Sequence, residues 1–176
     1  MLDERETGWR RTIGRIAFRL DRDDYPAGDL AALRRIGADR VGWPPAFWRL
    51  AIELAPDLLD RERALEVLAN VVRAMAVAHP FHRPLDGHRS MGTALAGADV
   101  SEMRLLRLLR LGPDALPDEL VRLARLLASR GDPGRMDWSD AARLLADQDG
   151  EAIRRRIAKD YFRAAHARAQ TTGEPA

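Results

Sequence analysis

The stretch HRSMGTALAGADVSEMRLLRLLRL, His88 to Leu111, decides how the chain is read. It holds a small-residue turn, SMGTALA over Ser90 to Ala96, and then a segment with two different faces. At about 100° per residue, Leu105, Leu106 and Leu109 fall on one side of a helix and Arg104, Arg107 and Arg110 on the other. The leucines require a core. The arginines stand one turn apart with no carboxylate on their own face, so they are free to grip anionic oxygen. Ser101 precedes this helix as its N-cap.

The same 3.6-residue period recurs outward in both directions. Upstream, a helix over Gly8 to Leu20 buries Trp9, Ile13, Ile16, Ala17 and Leu20. After the acidic loop DRDDYPAG, Asp29 caps a short helix that Gly37 ends; Leu30, Leu33 and Ile36 share a face and Arg34 and Arg35 point to solvent. Gly42-Trp43-Pro44-Pro45 is a break, with proline suited to the first turn of the next helix, Ala46 to Ala55. Asp60 caps a strongly apolar helix over Arg61 to His79. Its only polar positions after Glu66 are Asn70 and Arg73, so it is the central helix.

Downstream of the quoted stretch, Leu116 to Arg130 turns Leu120, Leu123, Leu126 and Leu127 inward and Arg122, Arg125 and Ser129 outward. Gly131-Asp132-Pro133-Gly134 stops it. Asp137 and Trp138 start a helix through Leu145. A last helix, Glu151 to Ala167, buries Ile153, Ile157, Tyr161 and Ala164 and gathers Arg155, Arg156, Lys159 and Arg163 on the opposite face. The tail TTGEPA reads as frayed. No segment alternates with period two, so the fold class is all-α. The loop His79 to His88, with two prolines and a glycine, divides an N-terminal helical bundle, 1–80, from a C-terminal one, 89–168.

Composition narrows the function. Of 176 residues, 46% are hydrophobic and 32% charged, the balance of a globular chain. Without cysteine, disulfides and thiolate metal sites are excluded. The charged N-terminus lacks the apolar run of a secretory signal, and no uncharged stretch reaches membrane-span length, so the expected compartment is the cytoplasm. The net charge is only +2 although the pI is about 9.6, which implies local basic faces balanced by acidic ones. Lys159 is the only lysine among 29 basic residues. Arginine supplies a planar fork that grips phosphate bidentately and stacks on bases.

Catalytic patterns are absent: there is no glycine-rich phosphate loop, no HExxH and no nucleophile elbow. His79, His82 and His88, with Asp86 nearby, have a spacing that zinc would accept, but they lie in a proline-rich loop without a second ligand set. Asp137 and Asp140, three apart at a helix start, read as a cap and a dipole partner. The aromatic residues fall mostly on apolar stripes and read as core. The basic faces remain, and backbone contact requires several of them to align on one surface. No helix-turn-helix spacing surrounds the arginine helix, so base-specific duplex reading is not indicated.

Seven pieces, in order, resemble the CasB family, the small subunit of the type I-E CRISPR surveillance complex Cascade. They are AALRR (Ala31 to Arg35), PAFWRLA (Pro45 to Ala51), SMGTALA (Ser90 to Ala96), SEMRLLRLLR (Ser101 to Arg110), LVRLARLLA (Leu120 to Ala128), DWSDAARLL (Asp137 to Leu145) and RRRIAKDYF (Arg154 to Phe162). Two departures stand out: Ala146 to Gly150 lacks the tryptophan the family tends to show there, and the loop Gly131 to Arg135 is longer and richer in glycine.

The resemblance implies an all-helical, non-catalytic protein of two small packed bundles that needs no cofactor. It implies two copies along the complex, between the backbone subunits that hold the guide RNA and the large subunit. It also implies sequence-independent contact with guide RNA and with target and non-target DNA strands, stabilising the R-loop in antiviral defence. Arg34, Arg35, Arg49, Arg104, Arg110, Arg125 and Arg143 match basic positions of the family pattern, and Arg107 joins them by helical phase. Arg122, Arg155, Arg156 and Lys159 complete the candidate set from the periodicity above. The alternative is a helical scaffold whose basic faces meet acidic protein surfaces only.

Overall fold

A computed structural model describes residues 4–37, 42–84, 88–146 and 150–172. Asp86, the positions after Ala146 up to 149 and the last four residues of the tail lie outside the described residues. The described residues form α-helices and short 3-10 turns, with no strand among them. The chain is all-α, as its periodicity requires. The helices are α1 (Glu4–Leu20), α2 (Ala27–Arg34), α3 (Pro45–Leu54), α4 (Glu62–Ala78), α5 (Met91–Gly97), α6 (Glu102–Arg110), α7 (Leu116–Arg130), α8 (Ser139–Ala146) and α9 (Glu151–Thr172). Among them, none is long and apolar enough to cross a membrane.

α4 occupies the centre. Eleven of its residues, from Ala64 to Ala78, are buried. It packs on α1, α2 and α3 on one side and on α7 and α8 on the other, while α1 also meets α8. Buried side chains from both halves of the chain therefore belong to one hydrophobic cluster, from Trp9 to Tyr161.

The widest helix pair is α5 against α9, and Gly92 explains it. A Cβ on Gly92 would overlap the carbonyl oxygen of Ile157 and stand 2.7 Å from the Tyr161 amide nitrogen. The small residues of SMGTALA thus let two backbones approach. Gly134 does the same in the 3-10 turn Asp132–Gly134, where a Cβ would overlap the carbonyl of Leu127. The glycine-rich loop that departs from the family pattern is a close-packed turn against α7. Tyr161 then ties α9 to the α5–α6 connection, its hydroxyl donating to the Val100 carbonyl at 2.5 Å.

Some expected caps are observed and others are not. Ser101 accepts from the Arg104 amide at 3.4 Å, and Asp137 accepts from the Ser139 amide at 2.9 Å. Ser90, read as part of a small-residue segment, is the N-cap of α5 and accepts from the Thr93 amide at 3.4 Å. Asp29, however, lies inside the first turn of α2, which starts behind Pro26, an N-cap in extended backbone with φ −63° and ψ 126°. That helix ends at Arg34, before Gly37. Asp60 does not cap α4 either: Arg61 holds the N-cap position without a side-chain bond, after a 3-10 turn at Pro56–Leu58. α9 runs on to Thr172 rather than stopping at Ala167.

The segment after α4 is anchored inward. His82 is buried, and its Nε2–H donates to the Ala17 carbonyl on α1 at 2.9 Å, while Nδ1 is buried and has no partner among the described residues. Burial pushes the imidazole down to about 4, against the partial compensation of that hydrogen bond. The neutral ring is the folded form, whereas the unfolded chain takes up a proton near pH 6.5. Stability is therefore complete above pH 6.5 and is lost as pH falls toward 4, by on the order of 3 kcal/mol from this group. Thermal melts of His82→Gln and wild type across pH 4 to 7 check this: the wild-type melting temperature should drop more steeply below about pH 6.5, and parallel profiles would contradict it.

Candidate nucleic-acid interface

α6 presents a different face from the one its sequence suggests. Leu105 and Leu108 are buried, Leu109 is half-buried, and Leu106 is exposed. The core thus lies some 50° from the expected direction, on the side where α6 is linked to α7 through Arg104 and to α9 through Arg154. Arg104 lies at the edge of that buried face, 3.7 Å from Glu119 on α7, and Arg122 reaches the same carboxylate at 3.0 Å. The three arginines of α6 are therefore not equally unopposed. Glu119, itself buried, fixes the α6–α7 pair. On the other side Arg154 donates to the Leu109 carbonyl at 3.0 Å, which satisfies the C-terminal end of α6.

Arg107 and Arg110 on α6 and Arg125, one turn beyond Arg122 on α7, are exposed. No ion pair forms from these three among the described residues, and the same holds for Arg35 and Lys159. These five are the cations with open donors in the candidate set. Met103, 81% exposed, and Leu106 border Arg107 and Arg110, so the outer face of α6 is apolar as well as basic.

The other candidates are committed. Arg34 Nε donates to the Ala76 carbonyl at 2.9 Å, at the C-terminal end of α4. Arg49 Nη2 meets both oxygens of Asp29, at 2.7 and 2.8 Å, and Arg155 pairs with Glu151 one turn back. Arg143, expected at the surface, is buried in α8. Arg156, expected on the solvent face of α9, turns inward to the carboxylate of Asp140. Asp140 is fully buried and accepts from the Met91 amide at 2.9 Å through its other oxygen. Its role exceeds that of a dipole partner: one carboxylate joins the start of α5, α8 and α9.

The loop histidines are separated by their own bonds. His79 and His82 stack at 5.0 Å, His82 is held by Ala17, and His88 Nδ1 lies 2.7 Å from Asp137. Burial pushes the Asp137 carboxyl up, but hydrogen bonds from His88 and Ser139 outweigh it and hold the group below the usual range. No group of three potential ligands forms among the described residues. Of the aromatic residues, Trp9, Phe47, Trp138 and Tyr161 are core, whereas Trp48 and Phe162 are exposed. The sequence reading passed over a further basic group, Arg11, Arg15 and Arg22 on or just beyond α1. Their spacing opposite the Trp9–Leu20 stripe was the available signal.

The family model described as CRISPR-associated protein Cse2 matches residues 29–162, from within α2 to α9. The chain belongs to the Cse2 family. Cse2, the CasB family of the sequence resemblance, is the non-catalytic small subunit of type I-E CRISPR Cascade. A chain in the crystal structure of E. coli Cascade bound to a PAM-containing dsDNA target shares the fold. It is 22% identical, with a TM-score of 0.64, over 92% of this chain and 94% of that one. A search of curated proteins finds no match. Within the Cse2 fold the arginines thus divide into those that clamp helices and those left exposed.

The clamps should behave as structure. Asp140→Ala removes the carboxylate that the half-buried Arg156 and the buried Met91 amide share, which should cost about 3 kcal/mol. Denaturant unfolding checks this, with Asp140→Asn expected to lose less. A loss under about 1 kcal/mol for the alanine variant would contradict the assignment.

Proposed function

We propose that this protein binds nucleic acid backbone without sequence specificity within Cascade, stabilising the guide RNA–target DNA heteroduplex and the displaced strand. The observation that carries this reading is the exposure of Arg107 and Arg110 on α6 and of Arg125 on α7, with no carboxylate bonded to them among the described residues. A guanidinium without an internal partner keeps its donors for phosphate oxygens. Arg35 and Lys159 add backbone contacts elsewhere. R-loop formation exchanges duplexes of nearly equal stability, so a few such contacts suffice to tip it. Phosphate contacts position the strands and carry no base information.

In this reading the N-terminal bundle, 1–80, and the C-terminal bundle, 89–168, act together in the cytoplasm. Its neighbours are the backbone and large subunits of the complex and a second copy of the chain. Met103 and Leu106 support a role for the α6 face in those protein contacts, since exposed apolar side chains gain from a protein neighbour and little from phosphate. A scaffold using its basic faces for protein contacts alone is the second reading, favoured by the same two residues.

Fluorescence anisotropy of labelled single-stranded and duplex oligonucleotides across a salt series separates the two. Wild type should bind unrelated sequences alike, with affinity falling linearly in log salt. Arg107→Gln/Arg110→Gln/Arg125→Gln, shown folded by circular dichroism, should lower the single-strand slope by about 2, at roughly 0.7 per phosphate contact. Equal slopes for variant and wild type would remove these arginines from the interface. No binding by wild type to any strand would favour the scaffold.

A further inference from the structure

The outer face of α1 carries Arg11, Arg15 and Phe18, with Arg22 just past the helix end. Spaced by four and three residues, Arg11, Arg15 and Phe18 lie within about 60° of one another around the helix axis. That line is directly opposite the buried stripe of Trp9, Ile13, Ile16 and Leu20. Phe18 is 60% exposed, and the Arg83 guanidinium stands 5.4 Å from its ring centroid. A groove of about 580 Å³ runs along this face, lined by Arg10, Arg11, Arg15, Phe18, Arg19 and Arg22 and, from α3, by the acidic residue Glu53 and by Leu54. It adjoins a second, of about 350 Å³, that shares Arg11 and Arg15 and adds Arg61.

The cations here are largely available. Arg11 and Arg61 form no side-chain bond among the described residues, and Arg15 donates only to the Glu53 carbonyl at 3.4 Å. Arg19 and Arg22 share Asp24, and Arg83 holds Asp21, both at exposed positions. Such exposed pairs are weak and exchange readily for a competing anion. An acidic peptide would use the arginines but gain nothing from the ring of Phe18. A duplex offers no unpaired base to stack on it. An unpaired base bonded to a string of phosphates uses both features, because stacking is tolerant of sequence and arginines about 6 Å apart along a helix can meet successive phosphates.

We propose that this face of α1 is a track for single-stranded nucleic acid, with one base stacked on Phe18 and backbone phosphates held by Arg11, Arg15 and Arg22. α1 precedes the span matched by the Cse2 family model, so the track rests on this chain's own residues. It extends the nucleic-acid reading above to a second surface and depends on that reading for the ligand class alone.

Oligothymidylate binding followed by anisotropy across a salt series tests it, on wild type, Phe18→Ala, Arg11→Gln/Arg15→Gln and Arg107→Gln/Arg110→Gln/Arg125→Gln, each checked for helix by circular dichroism. Phe18→Ala should weaken binding roughly tenfold with an unchanged salt slope, and the α1 double variant should lower the slope by about 1.4. Irradiation with an iodouracil-substituted strand should cross-link the peptide containing Phe18. Wild-type affinity and slope in both α1 variants, with loss only in the α6–α7 variant, would overturn the track while leaving the interface on α6 and α7. Equal displacement of the strand from wild type and Phe18→Ala by polyglutamate would overturn the role of the ring. Absence of binding by wild type would overturn both readings together.

Discussion

The carboxylate of Asp140 is the constraint on which the rest of the C-terminal half depends. It lies where α5, α8 and α9 meet, with one oxygen on the Met91 amide and the other on Arg156. A buried charge of this kind is costly unless both of its oxygens are satisfied, and here they are. The bond aligns the start of α5 with α9, which permits the close approach at Gly92. Arg168 closes the other end of that pair, bonding the Ala96 carbonyl and the Asp99 carboxylate. Arg154 does the same for α6 through Leu109. The inward arginines of α9 are therefore staples between helices.

That use of arginine explains why a chain with so many basic residues exposes few unpaired ones in its candidate interface. A guanidinium spans two helices and satisfies the bare carbonyls at a helix end, which an ammonium does less well. Once Arg34, Arg104, Arg154 and Arg156 are committed this way, Arg107, Arg110 and Arg125 stand out by contrast. They are carried on regular helices, α6 and α7, that the Arg104–Glu119 contact links. A non-catalytic subunit acting on a near-balanced strand exchange needs such cations more than it needs a pocket.

The helices were legible because a 3.6-residue apolar period survives any tertiary arrangement. The buried stripe of α1 and the span of α7 follow directly from it, and Ser101 marks the start of α6 by its residue type. What the sequence could not show is which edge of an amphipathic helix faces the core when two neighbours compete for it. In α6 that difference exchanged Leu106 for Leu108 and drew Arg104 onto Glu119. Periodicity also assigns every arginine to solvent, so the burial of Arg143 and the inward turn of Arg156 were invisible without their tertiary partners. The line of Arg11, Arg15, Phe18 and Arg22 was readable from spacing alone, but α1 had been read only for its core face.

The central claim is a division of labour among arginines, and side-chain NMR of this 19.7 kDa chain tests it most directly. Arginine Nε–Hε resonances, assigned by single substitutions, would be followed as oligothymidylate is added. The account predicts that Arg107, Arg110 and Arg125 shift progressively while Arg104, Arg154 and Arg156 stay fixed. Shifts of the second group without the first, or uniform shifts across both, would contradict it.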